Sequence, residues 1–188
     1  MSHLQKPNKT ICVYLGSNEG NDPRYAEAVR ELGTWIGRNG YRLAYGGSKV
    51  GLMGHLAHSA LEAGGYVIGV EPKFFIDSEM QLDELNELEV TDTMAERRTR
   101  LIEISDAFIA FPGGTGTLEE ISEIMCSVSL DILRAPCIVY NLNGFYDHLD
   151  ALLSHMEAEG FLRSGNRAKI RFCSTLEEIA EAIRSFNL

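Results

Sequence analysis

A glycine-rich turn followed by two carboxylates is the feature of the sequence that most directly indicates chemistry. It lies in the segment AFIAFPGGTGTLEE at 107–120. The turn and the residues behind it are Gly113, Gly114, Thr115, Gly116, Thr117, Glu119 and Glu120. Backbone N–H groups at such a turn bind phosphate when a helix starts there. The carboxylates, about one helical turn further on, indicate that a second, electron-poor part of the ligand lies over them.

Two common nucleotide-binding signatures do not match this turn. The GK[ST] ending of a Walker loop is missing, and Glu119 stands where a dinucleotide fingerprint has its third glycine. ATP hydrolysis and nicotinamide chemistry are therefore disfavoured. A ribose 5′-phosphate joined to a base fits better, because cleavage of its N-glycosidic bond builds positive charge on the sugar ring. A glutamate can stabilise that charge and orient a water molecule.

Two further glycine clusters follow predicted strands. GSNEG at 16–20 contains Gly16 and Ser17, and GGSKVGLMG at 46–54 contains Gly46, Gly47 and Met53. One such cluster alone is as readily explained by the steric needs of a tight turn. Three clusters at the carboxyl ends of strands in one sheet favour a binding site. Met53 has two interpretations, as a contact to a ligand base or as part of the core.

A pair of arginines precedes the glycine-rich turn. TMAERRTRL at 93–101 places Arg97 and Arg98 side by side on a predicted helix, with Arg100 beyond them. Adjacent arginines are either a solvated helix face or a clamp for a phosphate or a leaving group. The sequence pattern alone leaves both interpretations open.

The elements that must position these residues alternate between strand and helix. Apolar runs predict strands at 10–15, 41–46, 66–70, 107–111, 137–141 and 169–174. Helical periodicity predicts helices over 23–40, 51–65 and 94–104, and further helices starting near 117, 145 and 175. Continuous apolar strands are typical of a parallel sheet covered on both faces. We therefore predict an α/β protein, a single Rossmann-like domain over 1–188 with a doubly wound parallel sheet and a flexible tail at 1–9.

Composition limits the partners of this fold. The net charge is −10 with no basic run, so the sequence predicts a small-molecule partner and no nucleic acid. The polar N-terminal segment and the lack of a long apolar stretch predict no membrane association and a cytoplasmic location. Three of the four cysteines lie in apolar strand-like runs, where reduced core thiols are expected.

No cofactor and no metal are expected. His55 and His58 form an HxxH pair, but no third ligand stands at a recognisable spacing, which disfavours a zinc site. A pyridoxal phosphate enzyme would need a lysine with an accompanying cofactor signature. The five lysines are Lys6, Lys9, Lys49, Lys73 and Lys169, and the sequence around them contains no such signature.

The segment MAERRTRLIEISDAFIAFPGGTGTLEE at 94–120 resembles the Lonely Guy family of cytokinin riboside 5′-monophosphate phosphoribohydrolases. The family combines an M-H-x-R-K segment with P-G-G-x-G-T-x-x-E, and the second motif is complete here. The resemblance implies a catalytic pair of Arg97 and Glu120, with phosphate held by 114–117. It also implies that Arg98 stands in place of the family's lysine and that Glu79 is a substrate-binding carboxylate. The alternative is a non-catalytic nucleotide-binding or carrier module on the same fold.

Several positions depart from the family pattern. Ala95 replaces a histidine, Thr115 a tyrosine, Ser48 a glycine and Glu71 an apolar residue. In the helix after the motif, the departures lie on the base side of the pocket and are Cys126, Ser127 and Ser129. The reaction class is therefore better supported than any particular base.

The resemblance also implies a homodimer and a division of roles in the site. The helix from Thr117 carries an apolar surface wider than one sheet-facing stripe, made by Ile121, Ile124, Met125, Val128, Leu130 and Ile132. On that helix, Glu119 and Glu120 point about 100° apart, so only one of them faces the ribose squarely. The family pattern selects Glu120, which we expect to be ionised near the positive end of the helix. Arg97 is expected to orient the substrate or to stabilise charge on the leaving base.

Overall fold

Short strands alternate with helices along the whole part of the chain that the computed structural model describes, residues 9–76, 80–186 and 188. The seven strands there are β1 Thr10–Tyr14, β2 Arg42–Tyr45, β3 Tyr66–Pro72, β4 Glu87–Thr91, β5 Ala107–Ala110, β6 Cys137–Tyr140 and β7 Ile170–Cys173. The eight α-helices are α1 Pro23–Arg38, α2 Gly51–Glu62, α3 Lys73–Ile76, α4 Met94–Glu103, α5 Thr115–Ser129, α6 Asp147–Ala158, α7 Ser164–Arg167 and α8 Leu176–Arg184. A 3₁₀ turn, Leu142–Gly144, precedes α6.

The strands form one parallel sheet in the order β4-β3-β2-β1-β5-β6-β7. Ile11 of β1 lies opposite Leu43 of β2 on one side and Ala107 of β5 on the other. The chain therefore adds strands outward from β1 to β4 and then returns to the other side of β1. That reversal creates a crevice at the carboxyl ends of β1 and β5, where open α/β sheets bind ligands. The predicted doubly wound fold is confirmed.

Two apolar cores cover the two faces of the sheet. Alternate residues of β1 divide between them, with Ile11 and Val13 in one core and Cys12 and Tyr14 in the other. Helices α1, α2 and α8 close the first face, and α4, α5 and α6 close the second. As predicted, three cysteines are buried in this interior, namely Cys12, Cys137 and Cys173.

Strand β4 was not among the predicted strands. Its sequence, ELEVT, alternates charged and apolar residues, and both Leu88 and Val90 are exposed. Because β4 pairs only with β3 in the order above, it needs no apolar run on two faces. Helix α5 also begins two residues earlier than predicted, since Gly114 is its N-cap.

Two sequence predictions fall partly or wholly outside the described residues. Residues 1–8 of the predicted tail and the predicted substrate carboxylate Glu79 lie outside them. Lys9 is described, and its ammonium forms an ion pair with Asp106 at 3.0 Å. Within the described ranges, none of the helices has the length and apolar character that crossing a bilayer requires.

Candidate active site

The three glycine clusters meet around one cavity of about 570 Å³ at the carboxyl ends of β1, β2 and β5. The predicted site residues that line it are Gly16, Ser17, Gly46, Met53, Arg97, Gly113, Gly114, Thr115, Gly116, Thr117, Glu119 and Glu120. Two predicted residues, Gly47 and Arg98, do not line it. Met53 combines both of its interpretations, because it borders the cavity and also packs against the core beneath.

The loop after β1 and the loop after β5 approach each other closely at positions where they carry glycine. The N–H of Gly16 donates to the carbonyl oxygen of Pro112 at 3.3 Å. A Cβ atom at Gly113 would overlap the Thr117 hydroxyl and lie 2.7 Å from the Gly16 nitrogen. The loop after β1 and the loop after β5 can therefore touch only because position 113 carries no side chain.

The start of α5 has the features of an anion-binding site. The Gly114 N-cap adopts an extended conformation and has no side-chain oxygen that could accept a hydrogen bond. The first backbone bond of the helix runs from the Leu118 N–H to the Gly114 carbonyl at 3.1 Å. The N–H groups of 115–117 consequently have no acceptor within the helix. These residues border the cavity, so their donors and the helix dipole suit a phosphate there.

Arg97 and Glu120 form a buried ion pair in the cavity wall. Arg97 Nη1 donates to Glu120 Oε1 at 2.6 Å, and the two residues are only 6% and 8% exposed. Arg97 Nε donates to the carbonyl oxygen of Val70, at the end of β3, at 2.9 Å. A Cβ atom at Gly46 would overlap Arg97 Nη2, so this glycine leaves the space that the guanidinium occupies. The guanidinium is thus held by hydrogen bonds to β3 and α5 and packs beside the turn that follows β2.

A capping box fixes the helix that carries Arg97. Thr93 is the N-cap of α4, and its side chain accepts a hydrogen bond from the Glu96 N–H at 3.1 Å. The Glu96 carboxylate in turn accepts from the Asp92 N–H at 3.0 Å. These two bonds tie the first turn of the helix to the N-cap and to the residue before it, in a variant of the capping box. Arg97 lies directly behind this turn.

The second arginine and the second glutamate lie at the rim. Arg98 Nη1 contacts Glu119 Oε1 at 3.1 Å, and Arg98 Nε contacts Glu123 Oε2 at 3.3 Å. The Glu119 side chain is 58% exposed, whereas that of Glu120 is buried. Consecutive helical residues point about 100° apart, which separates the two arginines just as it separates the two glutamates. Of the two predicted clamp residues, only Arg97 reaches the cavity.

Burial and charge act in opposite directions on Glu120. Burial raises the pKa of its carboxyl, and the Arg97 guanidinium opposes that rise. The expectation of a carboxylate governed mainly by the helix terminus is therefore too simple, because α5 also buries this side chain. The short bond to Arg97 is the geometry of a charge-assisted pair, in which the carboxylate is the ionised partner.

Glu71 is a polar cavity residue that the sequence patterns did not identify as part of the site. It stands at the end of β3, is 1% exposed and lines the cavity. Burial raises the pKa of Glu71 to about 7, although the Arg97 guanidinium lowers it. The sequence feature that could have identified Glu71 is a carboxylate at the end of an otherwise apolar parallel strand.

Apolar side chains, together called the apolar wall, also line the cavity. This wall is formed by Leu15, Tyr25, Leu52, Phe75, Met80, Met94 and Phe145, which the sequence analysis did not assign to the site. These residues come from separate segments with no shared spacing, so no sequence pattern predicts their meeting. The cavity therefore offers a phosphate cradle, a buried ion pair and apolar surface for a planar group.

The described residues that line the cavity do not suit a metal ion or pyridoxal phosphate. In the part of the chain that the structure describes, no group of three or more metal-ligating side chains occurs. The His55 ring bonds instead to Glu19 at 3.0 Å and to Arg30. No lysine is among the described residues that line the cavity, so they do not provide the lysine that pyridoxal phosphate requires.

Fold and site together define a Rossmann-like α/β protein whose cavity combines a helix N-terminus with a buried ion pair. Residues 53–183 match the model of a protein family described as possible lysine decarboxylase. The chain is 38% identical to a cytokinin riboside 5′-monophosphate phosphoribohydrolase of Rhodococcoides fascians over 94% of this chain and 90% of the relative. It is 35% identical to the rice (Oryza sativa subsp. japonica) cytokinin riboside 5′-monophosphate phosphoribohydrolase LOG, over 95% of this chain and 74% of that one. The chain belongs to the Lonely Guy family, as its motifs indicated.

A protein of known structure with the same fold is described by a different function. The molybdenum cofactor binding protein of Rippkaea orientalis matches with a TM-score of 0.74 and 27% identity. The match covers 96% of this chain and 98% of that protein. The fold is therefore shared by proteins described as hydrolases and by a protein described as a cofactor binder, so the site residues must decide between these functions.

Proposed function

We propose that this protein is a phosphoribohydrolase that cleaves the N-glycosidic bond of adenosine 5′-monophosphates, including N6-substituted ones. The products are the free base and ribose 5-phosphate. The observation that carries the proposal is the buried pair of Arg97 and Glu120 beside the N-terminus of α5. Relatives at 35–38% identity that are named for this reaction support it.

Each part of the cavity suits one part of such a nucleotide. The N–H groups of 115–117 suit the 5′-phosphate, and the apolar wall suits the base. Glu120 stabilises positive charge on the ribose and orients the attacking water. Arg97 holds that carboxylate ionised and in place, through the bond at 2.6 Å. Arg98 contacts Glu119 from outside and supports the rim of the site.

A carrier module is the second candidate, and the similarity to a molybdenum cofactor binding protein favours it. A carrier needs the cavity and the phosphate cradle. It has no need of a buried arginine–carboxylate pair, whose desolvation costs several kcal/mol per ion. The pair therefore favours the hydrolase.

The deciding experiment incubates the purified protein with AMP and with N6-isopentenyl-AMP and follows the free base by chromatography. Base release by the wild type and its loss in Glu120→Gln would support the hydrolase. Glu123→Gln is the matched control, because Glu123 lies on the same helix and does not line the cavity. Binding of nucleotide by calorimetry without base release would instead indicate a carrier.

Two controls test the chemistry of the ligand. We expect a 5′-phosphate to be required, so adenosine should react far more slowly than AMP. We also expect no metal dependence, so EDTA should leave the rate unchanged. Equal rates for AMP and adenosine would contradict the phosphate cradle. Comparison of AMP with N6-substituted AMP then gives the base preference.

Assembly and location are further parts of the proposal. We propose a homodimer in a cytoplasmic compartment, as the family resemblance and the composition suggested. Gel filtration with light scattering tests the first statement, and cell fractionation with an antibody tests the second. Glu79, Arg98 and Gly47 stay predictions for substrate binding, to be tested by alanine variants in the same assay.

A further inference from the structure

Glu71 is a buried carboxyl with unused hydrogen-bonding capacity in the wall of the cavity. Its residue exposure is 1%, and its Oε2 atom has no hydrogen-bond partner among the described residues. A buried polar group without a partner costs free energy, and native proteins keep such groups rarely and for a reason. Glu71 is among the residues that line the cavity, so a ligand bound there is the candidate partner for its carboxyl.

The position of Glu71 is set by the same turn that positions Arg97. A Cβ atom at Gly47 would lie 2.6 Å from Glu71 Cγ, and one at Gly46 would overlap Arg97 Nη2. The two side chains therefore pack on consecutive glycines. Arg97 also binds the carbonyl oxygen of Val70, the residue before Glu71. The second carboxyl thus lies directly beside the buried ion pair.

The two carboxyls nevertheless differ in their partners. Glu120 accepts a charge-assisted bond from Arg97, which favours its ionised form. Glu71 has no such bond, and its environment favours the neutral acid. Burial raises the pKa of both carboxyls, but only Glu120 has a guanidinium hydrogen-bonded to it that opposes the rise. Two carboxyls that differ in this way are the arrangement expected of an acid and a charge-stabilising base.

We propose that Glu71 is the general acid that protonates the base as it leaves. This inference rests on the proposed function, and it assigns to Glu71 a role that the permanently charged Arg97 cannot perform. Protonation of a leaving group in the transition state contributes about 10²–10⁴-fold to the rates of enzymes that use it.

The step balances without another reactant. The bond between C1′ and the base nitrogen breaks, its electron pair stays on the nitrogen, and the Glu71 carboxyl proton moves to the base. Water oriented by Glu120 adds to C1′ and releases one proton. That proton returns to Glu71 through solvent, so one water is consumed for each base and ribose 5-phosphate formed.

The groups around Glu71 explain why it holds a proton near neutral pH. Arg97 on α4 is the cation beside it and favours the carboxylate. Burial acts against ionisation and has the larger effect, which gives a pKa of about 7. Burial raises the pKa of Tyr45 on β2, and the charge of an ionised Glu71 raises it further, so the phenol is neutral. Glu120 on α5 lines the same cavity.

Two substrates with different leaving groups test the inference. AMP releases adenine, which needs a proton, whereas 4-nitrophenyl riboside 5′-phosphate releases a nitrophenolate, which leaves without one. Glu71→Gln should lower kcat for AMP about 10²-fold or more and change the nitrophenyl rate less than about threefold. Glu71→Met should act in the same way, and Glu89→Gln on β4 should change neither rate.

A pH profile gives a second readout that a purely structural role would not produce. Wild-type kcat for AMP should fall as pH rises through the Glu71 pKa, because the acid loses its proton. Glu71→Gln should lose this alkaline limb. An equal loss on both substrates in Glu71→Gln, or an unchanged AMP rate, would overturn the inference and leave the proposed function standing. No base release by the wild type would overturn the proposed function, and the inference with it.

Discussion

Two neighbouring glutamates show how the environment, rather than the residue type, divides the roles in this site. Glu119 is more than half exposed and contacts Arg98 at the rim, while Glu120 is buried against Arg97. Water screens the outer pair, so its contribution to stability is small. The inner pair is strong because it is desolvated and hydrogen-bonded. The proposed action of Glu120 on a reacting sugar depends on this rigid hold, which the exposed Glu119 lacks.

The first prediction concerns these two carboxylates. Glu120→Gln keeps the size of the side chain and removes its charge, so kcat for AMP should fall on the order of 10² or more. The affinity for AMP should change little, because the phosphate cradle is untouched. Glu119→Gln should retain most of the activity. Steady-state kinetics and calorimetry measure both quantities, and an inactive Glu119→Gln beside an active Glu120→Gln would show the opposite assignment.

Arg97 provides a test of whether the pair acts as a unit. Arg97→Ala leaves Glu120 as an uncompensated buried charge and should destabilise the fold by about 3–5 kcal/mol. Turnover should fall as well. The double variant Arg97→Ala with Glu120→Gln should be little slower than the slower single variant, since residues that act together are not additive. Additive losses would indicate independent roles.

The second prediction uses Glu71 as a probe of folding. Its pKa is raised from the ordinary 4.5 to about 7 in the folded state, so the folded protein holds a proton that the unfolded chain has lost. The free energy of unfolding should therefore fall as pH rises between these two values, by about 3 kcal/mol. Glu71→Gln removes this dependence. Urea unfolding of the wild type and of Glu71→Gln at pH 5 and pH 8 measures this dependence. An equal loss of unfolding free energy in the two proteins would contradict the burial effect.

At the scale of elements, the periodicity of the sequence predicted the strands that are buried on both faces of the sheet. The strands β1, β5 and β6 are fully buried, so their type follows from their apolar composition and spacing. Edge strand β4 was missed because its two glutamates, which form ion pairs with Arg42 and Arg100, interrupt any apolar run. Short α3 and α7 were missed because helices of four residues are too brief to show periodicity.

The sequence predicted those parts of the candidate site whose residues lie in contiguous motifs, and the functional roles of these residues stay predictions. The cradle at 113–117 and the pair of Arg97 and Glu120 come from two such motifs, and the sheet order brings them together. Arg98 looked equivalent to Arg97 in sequence, and only the phase of α4 separates them. Glu71 is a single carboxyl residue in an apolar strand, and its burial depends on Gly47 and on the packing around it. Such a contact has no local pattern.

The third prediction concerns the glycine turn after β2. A Cβ atom at Gly46 would meet the far end of the Arg97 side chain and Met53 Sδ at 3.2 Å, rather than backbone. Gly46→Ala should therefore displace the guanidinium and lower kcat at least tenfold while the protein stays folded. Gly165→Ala on α7 is the matched control, because a Cβ atom there meets nothing within 4 Å. Kinetics and thermal unfolding of both variants test this, and full activity in Gly46→Ala would contradict the positioning role of the turn.

At the scale of the molecule, α5 connects the site to the surface. Four of the six apolar residues that suggested a wide interaction surface are instead in the core, namely Ile121, Ile124, Met125 and Val128. Leu130 and Ile132 are 63% and 77% exposed, just beyond the helix end, and Leu118 near its start is exposed too. The surface that α5 offers to a partner is therefore narrower than the sequence indicated. This surface lies on the same helix as Glu119 and Glu120, so a partner that covered it would be close to the site.

The last prediction is that two copies of the chain associate through this surface. Removing apolar surface from water stabilises a protein by about 25 cal/mol per Å². Burial of the exposed leucine and isoleucine side chains therefore gives association a driving force at these positions. Sedimentation equilibrium should give twice the chain mass of 20.9 kDa. Ile132→Asp combined with Leu130→Asp should shift the protein towards monomer, whereas Phe161→Asp, a change at a residue that is 88% exposed after α6, should not. If the partner copy orders the start of α5, the monomeric variant should also bind AMP more weakly. A wild type that sediments only as a monomer would refute the dimer.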